Sequence, residues 1–134
     1  MSMGGAIFDA PQAFEKRLYL AYPTLPQDRK NWALGNVSRL LAGNERAGSH
    51  IQAVISAYSS ATVLVEAMRR AGRNLGRRRL TAELEAFYQF DTGLTPPITY
   101  TANRRIGAKG AYVFGSESLV DGRLPESVPW VDLD

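Results

Sequence analysis

Between Asp28 and Phe90 the apolar residues recur at steps of three and four, whereas on either side of that interval they alternate or gather between turn residues. The first arrangement predicts helices and the second predicts strands. In "RLYLAYP" Leu18 and Leu20 fall on one side of an extended chain and Tyr19 and Ala21 on the other, a strand that Pro23 and Pro26 stop. Asp28 is placed to cap the next helix by accepting a hydrogen bond from a first-turn amide. Ala33, Val37, Leu40 and Leu41 form the apolar side of that helix until Gly43 and Asn44 end it.

"SHIQAVISAYSSATVLVEAMRRAG" predicts the longest helix. Ser49 and Gln52 have the spacing of a capping box. Ile51, Val54, Ile55, Tyr58, Thr62, Val65 and Met68 share one face, and Gly72 offers the left-handed stop. Val63 and Leu64 widen the stripe, so this helix is expected to be covered from more than one side. A shorter helix follows in "RRRLTAELEAFYQF", with Leu80, Leu84 and Phe87 inward, Glu83 and Glu85 outward, and an end near Phe90. "DTGLTPP" is turn chemistry, Gly93 being free to take positive φ. "ITYT" and "AYVFG" read as strands of a looped hairpin around "ANRRIGAKG", and the tail with Pro125, Pro129 and Trp130 as an irregular strand. Residues 1–16 read as a flexible or partly helical segment with a turn in "PQAFEKR", and residues 17–134 as one α/β domain.

Composition narrows the class. With 45% hydrophobic and 22% charged residues in 134, the chain has the make-up of a soluble globular protein that can bury a core without a staple. Sixteen basic against thirteen acidic side chains leave +3, so the pI of 9.4 reflects a small imbalance and not a chain-wide positive field. The absence of cysteine excludes disulfides, thiolate metal sites and cysteine nucleophiles. "MSMGGAIFDAPQAF" has neither a basic start nor an apolar run of about seven residues, which argues against a signal peptide and for the cytoplasm. No stretch approaches the ~20 apolar residues of a membrane helix, so no membrane insertion is expected.

Candidate chemistry is sparse. His50 adjoins Ser49 and lies near Ser56, but neighbours at a helix start lack the third, orienting group of a triad, and contact with water is the simpler role. One histidine and scattered carboxylates give no metal-ligand spacing, and no cofactor is expected. "GRNLGRRR" lacks the Gly-Lys-Ser/Thr ending of a phosphate loop and follows a helix, and "RIGAKGAY" lacks the third glycine of a dinucleotide fingerprint. Glu83 and Glu85 diverge by about 200° on a helix and cannot flank one bond.

Six arginines, Arg69, Arg70, Arg73, Arg77, Arg78 and Arg79, crowd the link between the last two helices. The first three suit a helix C-terminus, where the macrodipole favours cations. The others sit at a helix start, where it does not, and ask for carboxylates such as Glu83 and Glu85. A helix that presents "LTAELEAF" would set two carboxylates against phosphates, so nucleic acid is not an expected partner.

The ordered run "AYSSATVLVEAMRRAGRNLGRRRLTAELEAFYQFDTGLTPPITYTANRRIGAKGAYVF", preceded by "RLYLAYPTLP", resembles the C-terminal portion of type I periplasmic solute-binding proteins of ABC transporters, the branched-chain amino-acid receptors. The resemblance covers about residues 17 to 115 and lies in order and spacing more than in any one motif. It implies a partial type I periplasmic-binding-protein lobe of the α/β class, with three main helices and a small sheet including a C-terminal hairpin. It further implies a non-catalytic component of a transporter, partnered by an ABC permease and a small amino-acid-like solute, in the periplasm. Family members are longer, with two α/β lobes joined by strand crossovers, and most of their ligand-holding residues have no counterpart in this sequence. Only Tyr22, Pro23 and Thr24 lie where a ligand-binding cleft-edge loop is expected. The long helix of such a lobe rests on a parallel sheet built largely from parts of the family fold without counterpart in this sequence, so an uncovered apolar stripe implies a homodimer or domain-swapped oligomer. The alternative is a protein-interaction or regulatory module that keeps the fold without binding solute.

Overall fold

The computed structural model describes residues 14, 17–42, 50–119 and 123–132. The predicted flexible start, the Gly43–Asn44 helix stop and the Ser49 cap fall outside these residues, apart from Phe14. The chain divides into two compact units: residues up to Asp28 together with those from Lys109 onward, and Arg29–Ala108 between them.

The first unit is a three-stranded antiparallel sheet in the order β1 (Tyr19–Tyr22), β2 (Gly110–Gly115), β3 (Trp130–Asp132). Tyr19 stands opposite Gly115 and Tyr22 opposite Tyr112, which on its other side faces Trp130. The pleat turns alternate residues of β2 inward, and Tyr112 and Phe114 join Leu25 in a core with Leu20, Tyr22 and Trp130 around it. Tyr22 stacks on Phe114 at 5.8 Å, and Tyr112 meets Trp130 edge-on at 4.9 Å, the offset geometries that aromatic quadrupoles favour.

Asp28 does not cap a helix of the second unit, as the sequence suggested. It closes the preceding turn, Pro26–Asp28: its Oδ2 accepts from the Leu25 amide at 2.8 Å, while its own amide donates to the Leu25 carbonyl at 3.1 Å. This reciprocal pair satisfies donors locally, and the side chain is no longer free to reach forward.

The second unit holds α1 (Asn31–Leu41), α2 (Ile51–Ala71) and α3 (Arg77–Glu85). The first helix starts after Lys30 with no side-chain cap, and the Lys30 amide donates to the Gly93 carbonyl at 2.7 Å. Ala33 and Val37 of α1, Ile55 of α2 and Leu94 form one buried cluster. Val63 and Ala67 of α2 with Phe87 form another, flanked by Leu80 and Leu84 of α3.

The buried line of α2 is Ile55, Ser59, Val63, Ala67 and Ala71, which corrects the face expected from the sequence. These residues step by four along one ridge. Val65 lies about 200° around from Val63 and is 63% exposed, and Met68 is exposed as well. The helix stops at Gly72, whose φ of 63° bears out the predicted left-handed end.

The helix α3 ends at Glu85 and not near Phe90. The Ala86 and Phe87 amides tighten onto the carbonyls of Ala82 and Leu84, and Gln89 takes a φ of 46°. This turn brings Phe90 onto Ile98, with which it exchanges hydrogen bonds of 2.7 and 2.8 Å. The predicted hairpin between "ITYT" and "AYVFG" is therefore absent: the first segment bonds to Phe90 and to its own turn at Arg104, the second to β1 and β3. Three helices and a small antiparallel sheet whose last two strands pair at the C-terminal end make a mixed α/β fold.

Gly93, at φ 75°, is where the "DTGLTPP" turn meets α1. A Cβ there would lie 2.7 Å from the Ala33 Cβ and closer still to the Trp32 ring. Gly93→Ala combines left-handed strain with overpacking and is expected to lower stability by about 2 kcal/mol or more. Gly76, the extended N-cap of α3, has open space around it. Gly76→Asp supplies the missing cap in front of three arginines and is expected to raise stability by about 0.5 kcal/mol. Urea denaturation of the two variants beside the parent checks both signs.

Candidate functional site

Tyr22, Pro23 and Thr24, the expected cleft edge, follow one another at the end of β1 but differ in availability. The Tyr22 ring is committed to the stack on Phe114, and Pro23 is exposed. Thr24 is 8% exposed, and its hydroxyl has no hydrogen-bond partner among the described residues. Such an oxygen is the atom of the three with capacity to spare. Close by in the same unit, the Tyr112 hydroxyl donates to Asp28 Oδ1 at 2.5 Å. Burial, with the Asp28 hydrogen bond second, pushes the Tyr112 hydroxyl up to about 12.

Three of the six arginines of the link are held in ion pairs. Glu66 accepts from Arg69 and from Arg70, each at 2.8 Å, and Arg79 reaches Glu83 one helical turn on at 2.8 Å, the pairing the spacing suggested. The Arg69 hydrogen bond first, and the Arg70 one next, hold the Glu66 carboxyl down at about 2. Arg70 also lies 4.5 Å over the Phe87 ring, covering apolar surface while its charge stays at the rim. Glu83 and Glu85 are thus half-buried partners, not freely solvated charges.

A second cluster was not singled out in the sequence. Thr81, Leu84 and Glu85 of α3 face Tyr100, Thr101, Arg104 and Arg105 across a cavity of about 310 Å3. Its components are spread over two segments of the chain. The only hint is a pair of arginines set between a threonine-rich strand and a glycine loop, which periodicity cannot distinguish from turn chemistry.

His50 is exposed at the N-cap position of α2 and caps no amide with its side chain. Among the described residues no three histidine, cysteine, aspartate or glutamate side chains gather closely enough to hold a metal ion. By length and mean hydropathy of 1.3, Ile51–Asn74 is long and apolar enough to cross a membrane. One line of it, Ile55, Ser59, Val63, Ala67 and Ala71, is packed, while 22% of the apolar window is buried and Leu64, Val65 and Met68 on the opposite side are exposed. No protein-family model, curated protein or solved structure matches this chain.

The Tyr112–Asp28 bond makes a pH prediction. A hydroxyl that ionises at 10.0 when unfolded and near 12 when folded adds stability that is whole below pH 10 and is lost as pH rises from there through 12. In an alkaline titration followed by tyrosinate absorbance, the last ionisation below global unfolding is expected near 12 and is expected to vanish in Tyr112→Phe.

Proposed function

We propose that this chain is a non-catalytic module of the solute-binding receptor class, corresponding to the closing part of a bilobal protein that serves an ABC transporter for amino acids or similar small solutes. The observation that carries this reading is the path of the chain. It leaves the sheet unit after Asp28, forms the helical unit, and returns at Lys109 to add β2 beside β1 and β3 beside β2. A receptor with lobes joined by strand crossovers likewise passes its chain more than once between compact units. Three helices with a small sheet are also what the resemblance in the sequence implies. On this reading the periplasm is the working compartment and a permease the macromolecular partner.

The cleft edge at Tyr22–Thr24 is the proposed solute contact, with the unpaired Thr24 hydroxyl as its polar member. One observation favours the second reading, an interaction module without solute: the Tyr22 ring is already used in the core. Calorimetric titration with leucine, valine, aromatic amino acids and urea-like amides separates the two. Micromolar uptake, weakened in Thr24→Val, is the expected result, and silence towards all of them supports the interaction module.

The exposed side of α2 bears on assembly. Ala57, Ala61, Leu64, Val65 and Met68 fall within one side of the helix, and all are exposed. A receptor lobe lays such a helix on a sheet; among the described residues nothing covers this side, and a second copy is the proposed cover. Light scattering at micromolar concentration is expected to give about twice 14.7 kDa, and Val65→Glu is expected to return the mass to that of one chain.

A further inference from the structure

The cleft beside α3 joins features that small-molecule sites share: a cavity of about 310 Å3, an apolar wall and a few convergent charges. Leu84 and the Tyr100 ring form the wall. Tyr100 is fixed from two directions: its amide donates to the Phe87 carbonyl at 2.9 Å, and Gly107 lies against the far end of its ring. A Cβ at Gly107 would come 2.7 Å from Ile98 Cγ2 and 3.2 Å from the Tyr100 hydroxyl, so glycine lets the loop lie close against both. Thr101 and Arg104 exchange backbone hydrogen bonds of 2.9 and 3.0 Å, closing a tight turn, and Arg104 Nε donates to the Ile106 carbonyl at 3.1 Å. The floor of the cleft is therefore set before any ligand arrives.

The rim is less settled. Arg105 is 81% exposed and stands 3.9 Å from Glu85, inside ion-pair range but beyond hydrogen-bond length. Glu85 is the last residue of α3, where the macrodipole disfavours a carboxylate. Arg104, whose guanidinium bonds to the Ile106 and Gly107 carbonyls, also lines the cleft, so two arginines and one glutamate leave one net positive charge in its lining.

We propose that this cleft binds a small organic monocarboxylate with a branched or aromatic body. The carboxylate takes Arg105 from its loose contact with Glu85 and forms the two-toothed pair that a guanidinium offers. The body lies on Leu84 and Tyr100, with Thr81 and Thr101 completing the lining. An anion is selected by the net charge of the rim, a single charge by its magnitude, and an apolar body by the wall. The site lies wholly within Arg29–Ala108, apart from Tyr22–Thr24, and does not depend on the receptor reading.

The test is an amide-shift titration of the nitrogen-labelled full chain with isocaproate and with phenylacetate, and with benzylamine as a cation of matching body. Saturable shifts at Leu84, Glu85, Tyr100 and Arg105 are expected at or below about 1 mM for the carboxylates, and none for benzylamine. Arg105→Ala is expected to weaken binding roughly tenfold or more, because the charge-assisted pair is lost. Glu85→Gln is expected to tighten it by about threefold, since it frees Arg105. Circular dichroism and melting establish that the variants fold, and if Arg105→Ala does not, Glu85→Gln decides alone. Absence of saturation by about 10 mM in both the parent and Glu85→Gln overturns the proposal. So does unchanged affinity in Arg105→Ala, or benzylamine shifting the same amides equally. Leucine perturbing Tyr22–Thr24 while the carboxylates leave the α3 cleft silent would uphold the receptor reading and overturn this one, and the converse result would do the reverse.

Discussion

The second unit depends on the four-residue ridge of α2. A straight helix presents successive i+4 positions as a line that drifts slowly around its axis, and here that line carries Ile55, Ser59, Val63, Ala67 and Ala71. Its first half packs into the cluster with α1 and Leu94, its second half into the cluster with Phe87 and α3. Small residues toward the C-terminal end let Phe87 fill the space, and the Phe87 ring in turn stacks on Phe90 at 4.7 Å and supports Arg70. One ridge thus organises both clusters. The same choice exposes the residues on the far side, because a helix this long that packs along one line cannot also bury Leu64, Val65 and Met68.

Local chemistry was legible in the sequence where a residue type has one physical answer. Gly72 and Gly93 take positive φ as expected, and the Arg79–Glu83 pair forms at its helical spacing. The two strand segments "RLYLAYP" and "AYVFG" are strands, and the Trp130 tail joins their sheet. What failed was the choice among equally apolar alternatives. Val65 and Met68 are as hydrophobic as Ile55 and Val63, and only the positions of α1, α3 and Phe87 decide which ridge is buried. Strand pairing failed for the same reason. "ITYT" and "AYVFG" have the composition of a hairpin, but Phe90 competes for the first and β1 for the second, and long-range competition leaves no trace in a local window. Asp28 illustrates a third kind of miss: its residue type suits a cap for the helix after it, but the turn before it offers a nearer donor.

The arginine link shows how a charge run can suggest a function that its surroundings absorb in part. Three of the six cations are held by two carboxylates, and one of those three also rests on an aromatic face. These contacts lie on the helices themselves, so they are cheap in entropy: each side chain needs to reach only one turn. The unfavourable feature is the start of α3, where three arginines meet the positive end of the macrodipole without a cap. That cost is tolerated because Leu80, Leu84 and Phe87 anchor the short helix through burial, which outweighs a few tenths of a kcal/mol per misplaced charge.

The contrast between Glu66 and Glu85 separates charge that builds the fold from charge left over for recognition. Glu66 receives hydrogen bonds from two guanidinium groups, and its carboxyl sits near 2 as a consequence. Glu85 meets one guanidinium at 3.9 Å, a distance at which water competes on nearly equal terms. A ligand cannot displace Arg69 from Glu66 without breaking directed bonds, whereas it can displace Arg105 from Glu85 at little cost. Because that loose pair stands over a wall held by Gly107 and the Phe87 carbonyl, the adjustable groups sit on a fixed base. Rigid apolar floor and replaceable polar rim each draw on two segments, Leu84 and Glu85 on α3, Tyr100 and Arg105 on either side of the Thr101–Arg104 turn. Neither segment would mark a site if read alone.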